Sequence, residues 1–195
     1  GEASALTMND IDFENHLVTI DKSLQAHDLK VDEFYLDTTK TEAGERIEQL
    51  PEFVIQALRR VIERNKVFDK HVENLPSSIF RKVDFLFRTE YGAPITSHSF
   101  RQILGRVNKV LKLKCPEKYG FEWTKNAIPH SFRHIHISVL RNDPTIPLKE
   151  VQARVGHVQE ETTNGYTHLL STSQEKSVEA ISRFIEKMGV NENIA

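Results

Sequence analysis

The chain has 195 residues, 38% hydrophobic and 28% charged, enough to bury a core unaided, and its single cysteine, Cys115, excludes a disulfide framework and cysteine-rich zinc sites. Lys and Arg number 26 against 28 acidic residues, so a generally cationic coat is excluded at net charge −2 and any basic face must be local. No apolar run reaches the roughly 18–20 residues of a membrane span and no signal pattern opens the chain, so a cytoplasmic protein without membrane contact is expected.

The first residues, Gly1-Glu2-Ala3-Ser4-Ala5-Leu6, read as the interior of a helix with no N-cap before them, the pattern expected of a fragment of a longer polypeptide. Three β-like runs follow at 16–20, 33–38 and 45–50, and 39–44 between the last two reads as a hairpin turn, with Gly44 free to take positive φ. Together they predict a small three-stranded antiparallel sheet. From Pro51 the period becomes helical, with Val54, Ala57, Leu58, Val61 and Ile62 at three- and four-residue steps. Residues 66–78 read as loop and 84–88 as a short strand. A long helix capped at Ser97 or Ser99 should bury Phe100, Ile103, Leu104, Val107, Val110 and Leu111 on one face. Further helices are expected over 131–141, 148–155 and 174–188, the last with an apolar stripe of Val178, Ile181, Phe184, Ile185 and Met188. The fold class is therefore α+β, mostly helical, in one domain over 1–195.

Chemistry concentrates in Pro129-His130-Ser131-Phe132-Arg133-His134, then Val155-Gly156-His157, then Gly165-Tyr166-Thr167-His168. His130 and Arg133 sit three positions apart, on neighbouring turns of one helix face, and can address one anion. Arginine offers a planar fork for two phosphate oxygens, and histidine donates to a third or moves a proton. A tyrosine is an unusual nucleophile, with a phenol pKa of about 10, yet against a phosphodiester it forms an ester that a second hydroxyl can reopen without a metal.

His-x-x-Arg, then Gly-His, then a Tyr nine residues after that His resembles the catalytic domain of the tyrosine recombinases, the phage-integrase family. Thr39-Lys40-Thr41 resembles the family's hairpin lysine and precedes Arg46-Ile47-x-x-Leu50-Pro51. Phe85-Leu86-Phe87 and Gly92-x-Pro94-Ile95 resemble the segment ahead of the His-x-x-Arg box, so the likeness runs in order along nearly the whole chain. It implies Tyr166 as nucleophile, joined to a DNA 3′ end, and Arg133 as a clamp on the non-bridging oxygens. His157 would donate to the same oxygens, His130 would manage protons near the nucleophile, and Lys40 would protonate the leaving 5′-hydroxyl. It implies no cofactor and no metal. Its partners would be double-stranded DNA attachment sites, a homotetramer at synapsis, and accessory DNA-bending factors. The family's first catalytic arginine would fall two residues before Gly1, and its core-binding domain would precede that. The chain as given is therefore expected to be impaired in strand exchange.

Other readings stand beside this one: a type IB topoisomerase-like enzyme, a non-catalytic DNA-binding fragment, and a metal enzyme built on His130, His134 and His136. Against the last, no carboxylate lies between Ala127 and Asn142. The candidate DNA-binding residues are Arg101, Arg106, Lys109 and Lys112, in a stretch that continues through Lys114 and Lys118 with only Glu117 acidic; plain solvation of an exposed helix is the alternative. The 174–188 helix would dock on a neighbouring subunit, as the family resemblance implies, or pack on its own domain. Trp123 reads as a core or rim aromatic.

Overall fold

A computed structural model describes residues 1–38, 45–73, 85–156 and 170–189. The architecture is α+β and mostly helical. A one-turn helix α1 (Glu2–Ala5) leads into β1 (Ile11–Asp12), β2 (Leu17–Ile20), β3 (Lys22–Gln25), β4 (Tyr35–Thr38) and β5 (Arg46–Gln49). The helices α2 (Glu52–Val72), α3 (Ser97–Tyr119), α4 (Pro129–Arg141), α5 (Leu148–Arg154) and α6 (Leu170–Lys187) follow. Among the described residues no helix is long and apolar enough to cross a membrane.

The three-stranded antiparallel sheet is present, in the order β1-β2-β5, but its membership differs from the sequence reading. The 33–38 run does not join it. That run forms β4, which pairs with β3 in a separate two-stranded ladder, Lys22 opposite Thr38 and Gln25 opposite Tyr35. Among the described residues β4 and β5 do not pair, and the turn expected at 39–44 lies outside them. β3 escaped notice because Lys-Ser-Leu-Gln lacks the branched and aromatic residues that mark a strand, and only its Leu24 is buried. Of the run expected at 84–88, Asp84 lies outside the described residues and 85–88 make only single bridges, Phe85 to Thr7 and Arg88 to Pro94.

One core cluster packs the sheet on α2: Ile11 and Val18 meet Leu58, Ile62 and Leu86. Asp10 pins the entry to β1, accepting from the Thr7 N–H at 2.7 Å and hydroxyl at 2.9 Å and pairing with the Lys22 ammonium. A second cluster joins α4, α5 and α6 through Leu140, Ile146, Val151 and Ala180, with Ile137 and Ile181 at its margin. In the described residues, α6 thus packs on its own domain.

α2 runs to Val72, so 66–72 is helix where a loop was expected. The apolar period fades there because α2 turns polar side chains to its neighbours. Asn65 donates to the Leu86 carbonyl at 2.9 Å, and both Asp69 carboxylate oxygens accept from Arg88 at 2.7 Å. α3 also departs from expectation. It starts at Ser97 with Thr96 capping the Ser99 N–H at 3.2 Å, and it ends at Gly120, whose φ of 71° closes it. Its buried side chains are Leu104, Asn108 and Cys115, while Phe100, Ile103, Val107 and Val110 form an exposed stripe beside them. Hydrophobic period alone centred the buried face about a quarter-turn away from where Asn108 puts it.

Candidate functional site

The approach to the His-x-x-Arg box is built by Asn108. Its Oδ1 accepts from the Ala127 N–H at 2.8 Å and from the Trp123 indole N–H at 3.1 Å, and its Nδ2 donates to the Ala127 carbonyl at 2.8 Å. One carboxamide therefore satisfies both main-chain groups of Ala127, two residues before α4 begins. Pro129 then takes the first helical position, where its missing N–H costs nothing, and the Ser131 hydroxyl accepts from the Ile128 N–H at 3.1 Å. α4 starts at Pro129, earlier than the expected Ser131, so His130 sits in its first turn.

His130 and His134 are exposed, with ring centroids 4.6 Å apart and planes nearly perpendicular. Arg133 is half-buried one turn on, and no described residue forms a hydrogen bond or ion pair with it. His136 turns inward instead. Burial first, then the positive charges of Arg154 and Arg133, lowers its pKa from 6.5 to about 4. The three histidines do not converge. Among the described residues no group of three or more His, Cys, Asp or Glu side chains is placed to hold a metal ion.

α5 leads towards His157. Val155 is buried, and Gly156 takes a φ of 66°, a left-handed conformation that turns the chain out of the helix and that glycine adopts without steric cost. The last residue of α5, Arg154, is buried with its side chain only 5% exposed. It donates to the Gln49 carbonyl at 2.9 Å and lies 3.4 Å from the Glu48 carboxylate and 3.9 Å from that of Glu150. Glu48 also lies 3.4 Å from Arg46, which pairs with Glu2 of α1 at 3.0 Å. Glu150 accepts from the Ser177 hydroxyl of α6 at 3.2 Å. Burial pushes the carboxyl pKa values of Glu48 and Glu150 up, against the pull of the neighbouring guanidinium groups. A chain of charges thus joins α1, β5 and α5, and the Ser177 hydroxyl ties it to α6.

Of the expected site residues, His130 and Arg133 share the first turns of α4, and Lys40, His157 and Tyr166 lie outside the described residues. Arg101, Arg106, Lys109 and Lys112 are exposed on α3. The Arg101 Nε donates to its own helix at the Ser97 carbonyl, 3.2 Å away. Trp123 is a half-buried rim residue tied to Asn108. Asn108, Glu48 and Arg154 were missed. Asn108 and Arg154 each lie one turn from an apolar residue, four from Leu104 and three from Val151, and that neighbour was the one signal for them; Glu48 had none, because alternation sets Ile47 inside.

The sequence profile described as the Phage integrase family matches residues 1–173. The chain is 34% identical over 169 residues to the transposase from transposon Tn916 of Enterococcus faecalis, covering 86% of this chain and 38% of that protein. It is 29% identical over 189 residues to the integrase of Staphylococcus phage L54a, covering 96% of this chain and 48% of that one. The chain therefore spans less than half the length of these relatives. Among solved structures it resembles the Tn1549 transposon integrase in complex with a circular intermediate DNA, at 27% identity and a TM-score of 0.61, over 92% of this chain and 53% of that one. XerA recombinase shares the fold at 18% identity, with a TM-score of 0.53 over 96% of this chain and 52% of that one.

Proposed function

This chain belongs to the phage integrase family, and on that premise we propose that it is the catalytic domain of a site-specific DNA recombinase acting through a 3′-phosphotyrosine intermediate. The observation that carries the reading is Arg133: a half-buried guanidinium with no described partner, on the helix whose first turn holds His130. An arginine with no described partner, one turn from the His130 imidazole and with no carboxylate on its helix, is suited to an anion from outside the chain.

The reaction is an in-line phosphoryl transfer. The Tyr166 oxygen attacks the scissile phosphorus as the bond to the 5′-oxygen breaks, and the electron pair of that bond leaves on the oxygen. Lys40 supplies the proton that makes this oxygen a competent leaving group. Arg133 and His157 hold the non-bridging oxygens as negative charge builds on them, and His130 takes up the phenol proton. The bond energy stays in the phosphotyrosine, so a second strand's 5′-hydroxyl reverses the step without a cofactor. Arg101, Arg106, Lys109 and Lys112 contact backbone phosphates, which position the duplex without reading its sequence. The substrates in this reading are attachment sites of a phage or mobile element, brought together by four copies of the protein with accessory bending factors.

The test is a suicide duplex whose cleaved end diffuses away, offered to the intact natural protein. A covalent protein–DNA adduct is expected from the wild type and none from Tyr166→Phe. Tight duplex binding without an adduct would leave the chain a DNA-binding module, and relaxation of supercoils without exchange between sites would make it a topoisomerase.

A further inference from the structure

We propose that Asn108 is a positioning residue for the phosphate clamp: its carboxamide sets where the first turns of α4, with His130 and Arg133, stand relative to α3. The inference rests on the recombinase reading above. The apolar packing of α4 lies at one end. Its core side chains, Ile137 and Leu140, come in its second half and meet Ile146, Val151 and Ala180. At the other end Ile128, Phe132 and Ile135 are each about half exposed. There the Phe132 ring meets Phe100 of α3 at 6.1 Å between centroids, with both rings open to solvent. Apolar burial therefore does little to fix the end that carries His130 and Arg133.

Polar bonds do that instead. The chain leaves α3 at Gly120, whose positive φ turns it, and comes back along the helix by about 18 Å, twelve residues at 1.5 Å each, to meet Asn108. Asn108 holds it there. Its Oδ1 accepts from the Ala127 N–H and the Trp123 indole, and its Nδ2 donates to the Ala127 carbonyl, so both main-chain groups of Ala127 are fixed in angle as well as distance. Ile128 is tied in turn to the Ser131 hydroxyl, which carries the fixed stretch into the first turn of α4. A buried carboxamide between Leu104 and Cys115 gives up hydration that an apolar side chain would not have to lose, yet an apolar side chain could hold Ala127 at no defined angle. α3 is also the helix of Arg106, Lys109 and Lys112, which grip the duplex in the reading above. The clip at Asn108 thus sets one distance, from the grip on the DNA backbone to the clamp on the scissile phosphate. A shift of about 1 Å in such a distance is on the scale that slows chemistry 100-fold.

The experiment measures single-turnover adduct formation by the intact natural protein, at saturating DNA, on two suicide duplexes. One has an ordinary diester at the scissile position. The other has a methylphosphonate, with methyl in place of either non-bridging oxygen, which removes the negative charge that Arg133 pairs with and so lessens the need for a guanidinium. Asn108→Ala is expected to slow the diester about 100-fold and the methylphosphonate less than about fivefold, with duplex affinity within about threefold of wild type. Arg133→Ala should show the same split. Partial unfolding lowers the amplitude on both duplexes and leaves the rate constants alone, so a merely structural role would not produce it. Where Asn108→Ala does not melt cooperatively, Asn108→Asp decides: it keeps the side chain's shape and its acceptor, sets a carboxylate oxygen against the Ala127 carbonyl, and should split the duplexes in the same way. Equal slowing on both duplexes, or an unchanged rate on both, overturns this proposal alone. A wild type that cleaves the diester but not the methylphosphonate overturns the clamp assigned to Arg133 and this proposal with it. No wild-type adduct on either duplex overturns the recombinase reading as well.

Discussion

Replacing Asn108 with alanine tests how the approach to α4 is built. The side chain is 6% exposed and makes three hydrogen bonds, two to the main chain of Ala127 and one to the Trp123 indole. At about 1 kcal/mol for each, with the abandoned groups partly shielded from water, the loss is about 3 kcal/mol. For a chain of this size that corresponds to a fall of about 9 °C in Tm. Trp123 is the only tryptophan in the chain, so its fluorescence reports this contact directly while far-UV circular dichroism follows the helices. Urea melts of wild type and Asn108→Ala read by both probes give the difference. Asn108→Asp adds a sign test: it keeps the acceptor for Trp123 but sets a carboxylate oxygen against the Ala127 carbonyl, so it should recover stability as pH falls and the carboxyl protonates. A loss below about 1 kcal/mol in Asn108→Ala would refute the account of Asn108 as the anchor of this segment.

Charge reversal of Lys109 and Lys112 to Glu should weaken duplex binding across unrelated sequences and reduce the slope of log affinity against log salt by about 2, measured by fluorescence anisotropy; an unchanged slope would remove these residues from the interface. His136 should titrate near pH 4 in its ring NMR signals, and because the unfolded chain binds the extra proton between about pH 4 and 6.5, stability should rise with pH across that window; His136→Gln should lose the slope. A ring midpoint near 6.5 would contradict it. Burial raises the Asp10 carboxyl, but its bonds to Lys22 and Thr7 outweigh that and leave its pKa lowered. A depressed carboxyl contributes stability above its unfolded value and loses it as pH falls through the folded one. Asp10→Asn should therefore be about 1–2 kcal/mol less stable at neutral pH, with the gap to wild type closing in acid; a gap constant with pH would show that the ion pair contributes nothing.

Helix positions were legible wherever one apolar stripe did the packing. α4, α5 and the later part of α6 follow the periods of Ile137, Leu140, Val151, Ala180 and Ile181. Legibility failed where polar side chains took core positions. Asn65 and Asp69 extended α2 through a stretch that looked like loop, and Asn108 rotated the buried face of α3. β5 shows the limit most clearly: alternation would put Ile47 inside, yet its buried partners Arg46 and Glu48 find their countercharges on α1 and α5, more than 40 and 100 residues away in sequence. Local pattern carries no information about such partners. The His130 and Arg133 box was readable because both groups lie within one helix, whereas the contacts of Arg154 with Gln49 and Glu48 are tertiary and no spacing encodes them.

The carboxamide of Gln174, on α6, meets the outer edge of β5. Sitting on the Ile47 carbonyl and the Gln49 N–H, it behaves as a strand one residue long and occupies both groups. Sheet margins ordinarily need a lysine, a proline or a bulge to keep a second molecule from adding itself. Here a helix supplies the stopper, which lets the margin display a greasy side chain at Ile47 without inviting fibrous growth. The protection is only as durable as the seating of α6: a lesion that unseats this helix would bare a sticky rim, and precipitation rather than simple unfolding would be its first visible sign.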